Sequence, residues 1–266
     1  MKKLKKIFYP LCLIILVFAC WNLWKIKTST RQTEELYEKL AQQADSSKSE
    51  PQSDTKAEDS QKNHSKNHSL GINTKIQKLQ QQNEELVGWL KIDGTVIDYP
   101  VMQTATDNDY YLTHDFERND NVHGTPFLDV NCSLETSDNL IIYGHHMKDG
   151  TMFQNLMLYR DAAFCTSNEW ILWDTLEEST RYRVVFVIVI SKIETETFPY
   201  YDYVDLSDKD RYQEFLDGCS EYAVWKSSEL PHPGTKLLTL STCEYSKEDG
   251  RLVIVAAADD AADEQH

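Results

Sequence analysis

No two cysteines of the 266-residue chain stand in a Cys-x-x-Cys spacing, so the commonest frame for a structural zinc site is missing. Basic residues are scarce where a fold could form. Residues 71–266 hold 15 Lys+Arg against 35 Asp+Glu, a balance of −20, while residues 1–70 hold 12 against 8, a balance of +4. A domain so acidic repels phosphates, which excludes a nucleic-acid partner and leaves room for a substrate with a cationic part. No internal repeat is visible. Residues 45–69 have almost nothing apolar and too little surface to bury, so they read as a tether.

Charge is also absent from Ile7 to Trp24, a mostly apolar stretch of 18 residues that follows Lys2, Lys3, Lys5 and Lys6. That length just spans a hydrocarbon core, and the lysines favour a cytoplasmic N-terminus. The expectation is a single-pass membrane anchor over residues 1–27, contacting the cytoplasmic membrane through residues 7–24. An extracytoplasmic coil and tether follow over 28–70, then a folded domain over 71–258 and an acidic tail over 259–266. Leu16-Val17-Phe18-Ala19-Cys20 loosely matches a lipoprotein cleavage box, although Phe18 suits it badly.

Within the domain, Ile72, Ile76, Leu79, Leu86 and Leu90 recur at helical spacing and predict an opening helix. Short runs rich in β-branched and aromatic residues come next: Trp89–Ile92, Thr95–Met102, Thr125–Asp129, Leu140–Tyr143, Glu169–Asp174, Tyr182–Ile193, Lys236–Ser241 and Leu252–Ala257. Asp93-Gly94 is a hairpin signal between the first two. Helical patches fall near Met152–Tyr159 and Lys209–Trp225. Eight short strands with few helices predict a mainly β fold, a closed or nearly closed barrel.

Three local features carry chemistry. Leu237-Leu238-Thr239-Leu240-Ser241-Thr242-Cys243 is an apolar strand that ends in hydroxyls and a thiol before the polar loop Glu244–Gly250. A thiol held at a strand's end suits a nucleophile, although a lone cysteine is more commonly an inert core residue. Asn139-Leu-Ile-Ile-Tyr-Gly144-His145-His146 is a second apolar strand ending in histidines, and an imidazole beside a thiol can exchange its proton. Alternation along a strand lets only one of the two rings face such a site. A metal reading would need further ligands, and His114, His123 and Cys132 offer no standard spacing, so no metal and no cofactor are expected. Arg251 opens the last strand eight residues past Cys243, where a hairpin would return it beside the thiol, as an oxyanion donor or as a mere surface ion pair.

In this order and on these elements the three features resemble the sortase family. Thr239-Leu240-Ser241-Thr242-Cys243 with Arg251 matches its signature, and Tyr143-Gly144-His145-His146 is similar to its class B members. Val87-Gly88-Trp89-Leu90, Ile97-Asp98-Tyr99-Pro100-Val101, Asp107-Asn108-Asp109-Tyr110-Tyr111-Leu112, His114-Asp115-Phe116 and Asp149-Gly150-Thr151-Met152-Phe153 agree, so the resemblance runs from about residue 72 to 258. It implies a closed eight-stranded sortase-type β-barrel with an N-terminal helix and a few short helices. It also implies a cysteine transpeptidase that cleaves a C-terminal sorting signal on surface proteins through a Cys243 thioester, then passes the protein to a peptidoglycan precursor amine.

By motif position His145 is the catalytic histidine, Arg251 the arginine, and the Glu244 N–H an oxyanion donor. Asn108, Leu112, Tyr200, Tyr201, Thr242 and Glu244 are implied to line the substrate groove. Joining pilin subunits and plain cysteine-peptidase hydrolysis share the thioester and remain alternatives. A wall-binding module without turnover is the alternative from another class.

Overall fold

The structure is a computed structural model that describes residues 17, 27–28, 30–43 and 73–259. Nine strands carry it: β1 (Leu86–Lys91), β2 (Asp98–Met102), β3 (Phe127–Leu128), β4 (Asn139–Tyr143), β5 (Trp170–Asp174), β6 (Ser179–Ile190), β7 (Ala223–Lys226), β8 (Leu237–Glu244) and β9 (Gly250–Ala258). Their order is β5-β1-β2-β3-β4-β8-β9-β6-β7, and β5 also pairs with β6. That extra pairing closes eight strands into a mixed barrel, as expected, and leaves β7 attached outside the ring along β6. Closure removes the sheet edges that an open sheet would expose.

Helices surround the ring. They are α1 (residues 30–43), α2 (Thr74–Gln80), α3 (Ala162–Ser167), α4 (Lys192–Thr197) and α5 (Lys209–Tyr222). The opening helix is shorter than its periodicity predicts: Asn73 caps α2, and Leu86 and Leu90 already lie in β1. Helix α1 lies against the barrel with Thr33, Tyr37 and Leu40 buried, a spacing that keeps them on one helix face. The Tyr37 hydroxyl donates to the Gly124 carbonyl at 2.9 Å.

The expected transmembrane helix is corrected. Among the described residues no helix is long and apolar enough to cross a membrane. Helix α5, at 14 residues, reaches about 21 Å against a core of about 30 Å, and it is studded with charge. Apart from Val17, residues 7–24 lie outside the described residues, as do residues 45–69.

Strand alternation sorts the barrel wall into two cores. Leu238, Leu240, Leu252, Ile254 and Ala256 point into the barrel with Trp89, Trp173 and Phe153. Leu237, Val253, Val255 and Ala257 point outward and are covered by Phe198, Tyr203 and the Tyr212, Phe215, Leu216 and Cys219 face of α5. A bulge between Val184 and Phe186 turns both Val185 and Phe186 to that outer core. The predicted strand Tyr182–Ile193 therefore stops at Ile190. Ser191 and Glu194 form a capping box that starts α4.

Gly88 explains part of the Val87-Gly88-Trp89-Leu90 motif. A Cβ there would meet the Trp173 ring at 2.3 Å and the Asp174 carbonyl at 2.7 Å. The ring packs directly on the β1 backbone where β1 pairs with β5. Gly88→Ala is expected to cost about 1–3 kcal/mol through overpacking, read as a lowered Tm. An unchanged melting curve would show that the Trp173 ring can move aside.

Candidate active site

Strand β8 lies between β4, which runs parallel to it, and β9, which runs antiparallel. It extends to Glu244, so Cys243 sits inside the paired strand and not beyond its end. Cys243 stands directly opposite Arg251. With Leu237 and Val253 outward, the period of two puts Cys243 and Arg251 on the outer face of the wall, where the outer core ends. Cys243 is half-buried, whereas Cys132, Cys165 and Cys219 are free thiols buried in the cores. Burial pushes Cys132 up to about 12, Cys165 to about 11 and Cys219 well above the ordinary thiol range.

The Arg251 guanidinium donates through Nη1 to the carbonyls of Gly250 at 3.0 Å and Asp249 at 3.2 Å. Among the described residues no carboxylate pairs with it, which removes the surface ion pair as its explanation. Below the thiol, Tyr200 is buried and its hydroxyl shares a hydrogen bond of 2.7 Å with Ser241 Oγ. Burial pushes the Tyr200 hydroxyl up; nearby Arg251 acts against this, and Cys243 acts with it.

The histidine loop leaves β4 at Gly144, whose N–H donates to the Ser241 carbonyl at 3.2 Å. A Cβ on Gly144 would come within 2.7 Å of the Phe153 ring, so only glycine lets the loop lie on that ring. His145 Nε2 is 2.7 Å from the Leu112 carbonyl. A carbonyl only accepts, so Nε2 carries the hydrogen and Nδ1 of the neutral ring keeps its lone pair. His146 Nδ1 lies 2.8 Å from the Cys243 carbonyl, and its ring packs against Tyr245.

A protein-family model for the sortase domain matches residues 90–259. The chain is 30% identical to Sortase B of Staphylococcus aureus over 259 residues, covering 96% of this chain and 97% of that one. It is 35% identical to Sortase B of Listeria monocytogenes over 186 residues, covering 69% and 73%. The solved Staphylococcus aureus sortase B–substrate complex superposes with a TM-score of 0.70 at 28% identity, covering 88% of this chain and 97% of that one. The chain belongs to the sortase family, class B. The sortase is therefore a cysteine transpeptidase that anchors surface proteins to peptidoglycan through a sorting signal.

The structure brings Cys243, Arg251, Tyr200 and the His145–His146 loop together, and Leu112 joins them through its carbonyl. Tyr201 is 41% exposed and meets Tyr200 edge-on. Thr242 and Glu244 face the barrel interior, opposite to Cys243. Thr242 Oγ1 donates to the Gly144 carbonyl at 2.7 Å, and buried Glu244 accepts from Arg160 at 3.0 Å and from Ser246. Asn108 accepts from the Val130 N–H at 2.9 Å and so braces a loop. Among the described residues no group of three or more His, Cys, Asp or Glu is arranged to hold a metal.

Sequence reasoning missed the tie between α4 and the Cys243–Arg251 loop. Lys247 Nζ sits 2.7 Å from Glu194 and donates to the Val189 carbonyl. The hydrogen bond from Lys247, with those from Ser191, brings Glu194 down to about 2. The Ser191-x-x-Glu194 spacing was the available signal.

Among the four described cysteines, these burial differences single out one reactive thiol. Alkylation of the native protein with iodoacetamide, mapped by mass spectrometry of its peptides, is expected to modify Cys243 alone among Cys132, Cys165, Cys219 and Cys243, and to modify none of these in Cys243→Ala. Rapid labelling of any other described cysteine would contradict the placement.

Proposed function

We propose that Cys243 is the nucleophile of this transpeptidase, His145 its proton-transfer residue and Arg251 the electrostatic partner of the reacting carbonyl. The catalytic unit spans residues 71–258 and works outside the cytoplasm, where surface proteins and peptidoglycan precursors meet. The observation that carries this reading is the register that sets Cys243 opposite Arg251 on one face, next to the histidine loop.

In the first step the Cys243 proton passes to His145 Nδ1 as the sulfur attacks the backbone carbonyl of the sorting signal. The C–N bond then breaks, and the proton returns from His145 to the leaving amine, leaving a thioester on Cys243. In the second step a peptidoglycan amine attacks the thioester and loses a proton to His145. The C–S bond breaks, and the proton goes back to the sulfur. Among the described residues no carboxylate holds Arg251, and its Nη1 donates to the carbonyls of its own loop. It is therefore available to a substrate carbonyl and to the oxyanion formed at each attack. Leu112 fixes the tautomer of His145, Tyr200 and Tyr201 wall the groove, and Asn108 braces its far side. Thr242 and Glu244 support the site from inside the barrel.

Peptide-cleavage kinetics test the assignment. Cys243→Ala and His145→Ala are expected to abolish acylation. Arg251→Ala should slow it about a hundred- to a thousandfold with the fold intact, since that is the usual cost of one oxyanion donor. Arg251→Lys should recover only part, because an ammonium lacks the planar fork. Near-normal acylation in Arg251→Ala would refute its role, and normal turnover in Cys243→Ala would refute the whole reading.

A further inference from the structure

Strand β4 ends at Tyr143, opposite Ser241, but β8 continues to Glu244. Along a strand the N–H and C=O of one residue point to one side, and successive residues alternate between the two neighbours. Ser241 turns its carbonyl toward β4 and receives the last main-chain rung, from Gly144 at 3.2 Å. The next acceptor on that side is the carbonyl of Cys243. Had β4 continued, the main-chain N–H of residue 146 would have met it. The chain has instead turned away, pairing His146 with Met152 and donating from Phe153 N–H to the His145 carbonyl at 2.9 Å.

The donor that arrives is the side chain of that same residue. His146 Nδ1 lies 2.8 Å from the Cys243 carbonyl, and since a carbonyl only accepts, Nδ1 carries the hydrogen. Two further contacts hold the ring in place. It packs on Tyr245 with centroids 4.8 Å apart, and the Tyr245 hydroxyl donates to the His146 carbonyl at 3.3 Å. The histidine loop is thus fastened to the Cys243 carbonyl on one side and to the Tyr245 side chain on the other.

We propose that His146 is a positioning residue for the nucleophile: its imidazole supplies the β-ladder rung that β4 leaves unmade and so sets the backbone of Cys243. The direction of the Cα–Cβ bond, and with it the approach of the sulfur to a carbonyl held by Arg251, follows from that backbone. In this assignment the Nδ1–H of His146 stays on the Cys243 carbonyl throughout and its second nitrogen, Nε2, takes no part, so the pH profile is the readout that separates positioning from proton transfer. The two histidines divide the work, one ring on the Leu112 carbonyl with a free nitrogen for the thiol, the other on the Cys243 carbonyl. The inference rests on Cys243 being the nucleophile.

The test compares His146→Phe, His146→Ala and His146→Asn in the full-length chain. Phenylalanine keeps a ring against Tyr245 and removes the donor, whereas the asparagine amide nitrogen can stand where Nδ1 does. In peptide cleavage His146→Phe and His146→Ala are expected to lose about ten- to a hundredfold in kcat, since a displacement of about 1 Å can cost about that much. KM should stay within about twofold, and the pH profile should keep both limbs. His146→Asn should recover most of the loss. Alkylation of Cys243 by iodoacetamide, which needs no aligned carbonyl, should keep its rate within about twofold in all three, with melting curves confirming the fold.

Full kcat in His146→Phe overturns the proposal. So does an asparagine variant as slow as alanine, or a lost limb of the pH profile, either of which would make His146 a proton carrier. Alkylation that slows in step with cleavage overturns it too, because His146 would then act on thiol reactivity. Cys243→Ala separates the two levels. Activity there sinks the nucleophile assignment, while inactivity there with full activity in His146→Phe sinks this inference alone.

Discussion

Strand β8 is held from both sides, by a parallel neighbour and by an antiparallel one, and the rest of the site depends on that double pairing. The antiparallel register delivers Arg251 opposite Cys243. The parallel register ends at Tyr143 and Ser241, so that the residues just past β4 arrive beside the same thiol. A slip of one residue in either ladder would turn Cys243 into the barrel and Thr242 outward. The apolar residues on both faces resist such a slip, since Leu238 and Leu240 fill one core while Leu237 borders the other.

A wall with a core on each face accounts for the reactivity pattern of the thiols. Cys132 and Cys165 lie with the inner core and Cys219 with the outer one, and burial raises all three. Cys243 is on the outer face where the covering layer stops, so a rigid strand presents it to solvent. The layer itself is fastened there: Tyr200 bonds Ser241 one rung below the thiol, and Lys247 joins α4 to the loop between Cys243 and Arg251. Cys243 and Arg251 are thus positioned by strands and braced by side-chain ties, which favours precise geometry over mobility.

Much of this was legible in the residues. The apolar runs marked eight of the nine strands, because alternating or continuous β-branched patterns reflect burial that any β structure must provide. Strand β7 was read as the end of a helix, since Ala223–Lys226 is too short to show a period. The segment Met152–Tyr159 reads as helical, and Phe153–Arg160 forms a 3-10 helix packed by Phe153 and Leu156. The cut between β6 and α4 needed the Ser191–Glu194 box to outweigh the run of β-branched residues before it.

The amino-acid sequence by itself determined the chemistry available: one thiol after two hydroxyl residues, two adjacent histidines after a glycine, and an arginine eight residues on. It also determined the β class, because side-chain period is a local property of the chain. Tertiary structure decided which of these groups meet and in what state. The burial that silences three thiols, the absence of a carboxylate beside Arg251 among the described residues, and the two different carbonyls that hold His145 and His146 all arise from segments far apart in sequence. Alternation along a strand said only that the two rings must part. Where each went was set by the point at which β4 stops and β8 does not, and that depends on pairing between strands nearly a hundred residues apart.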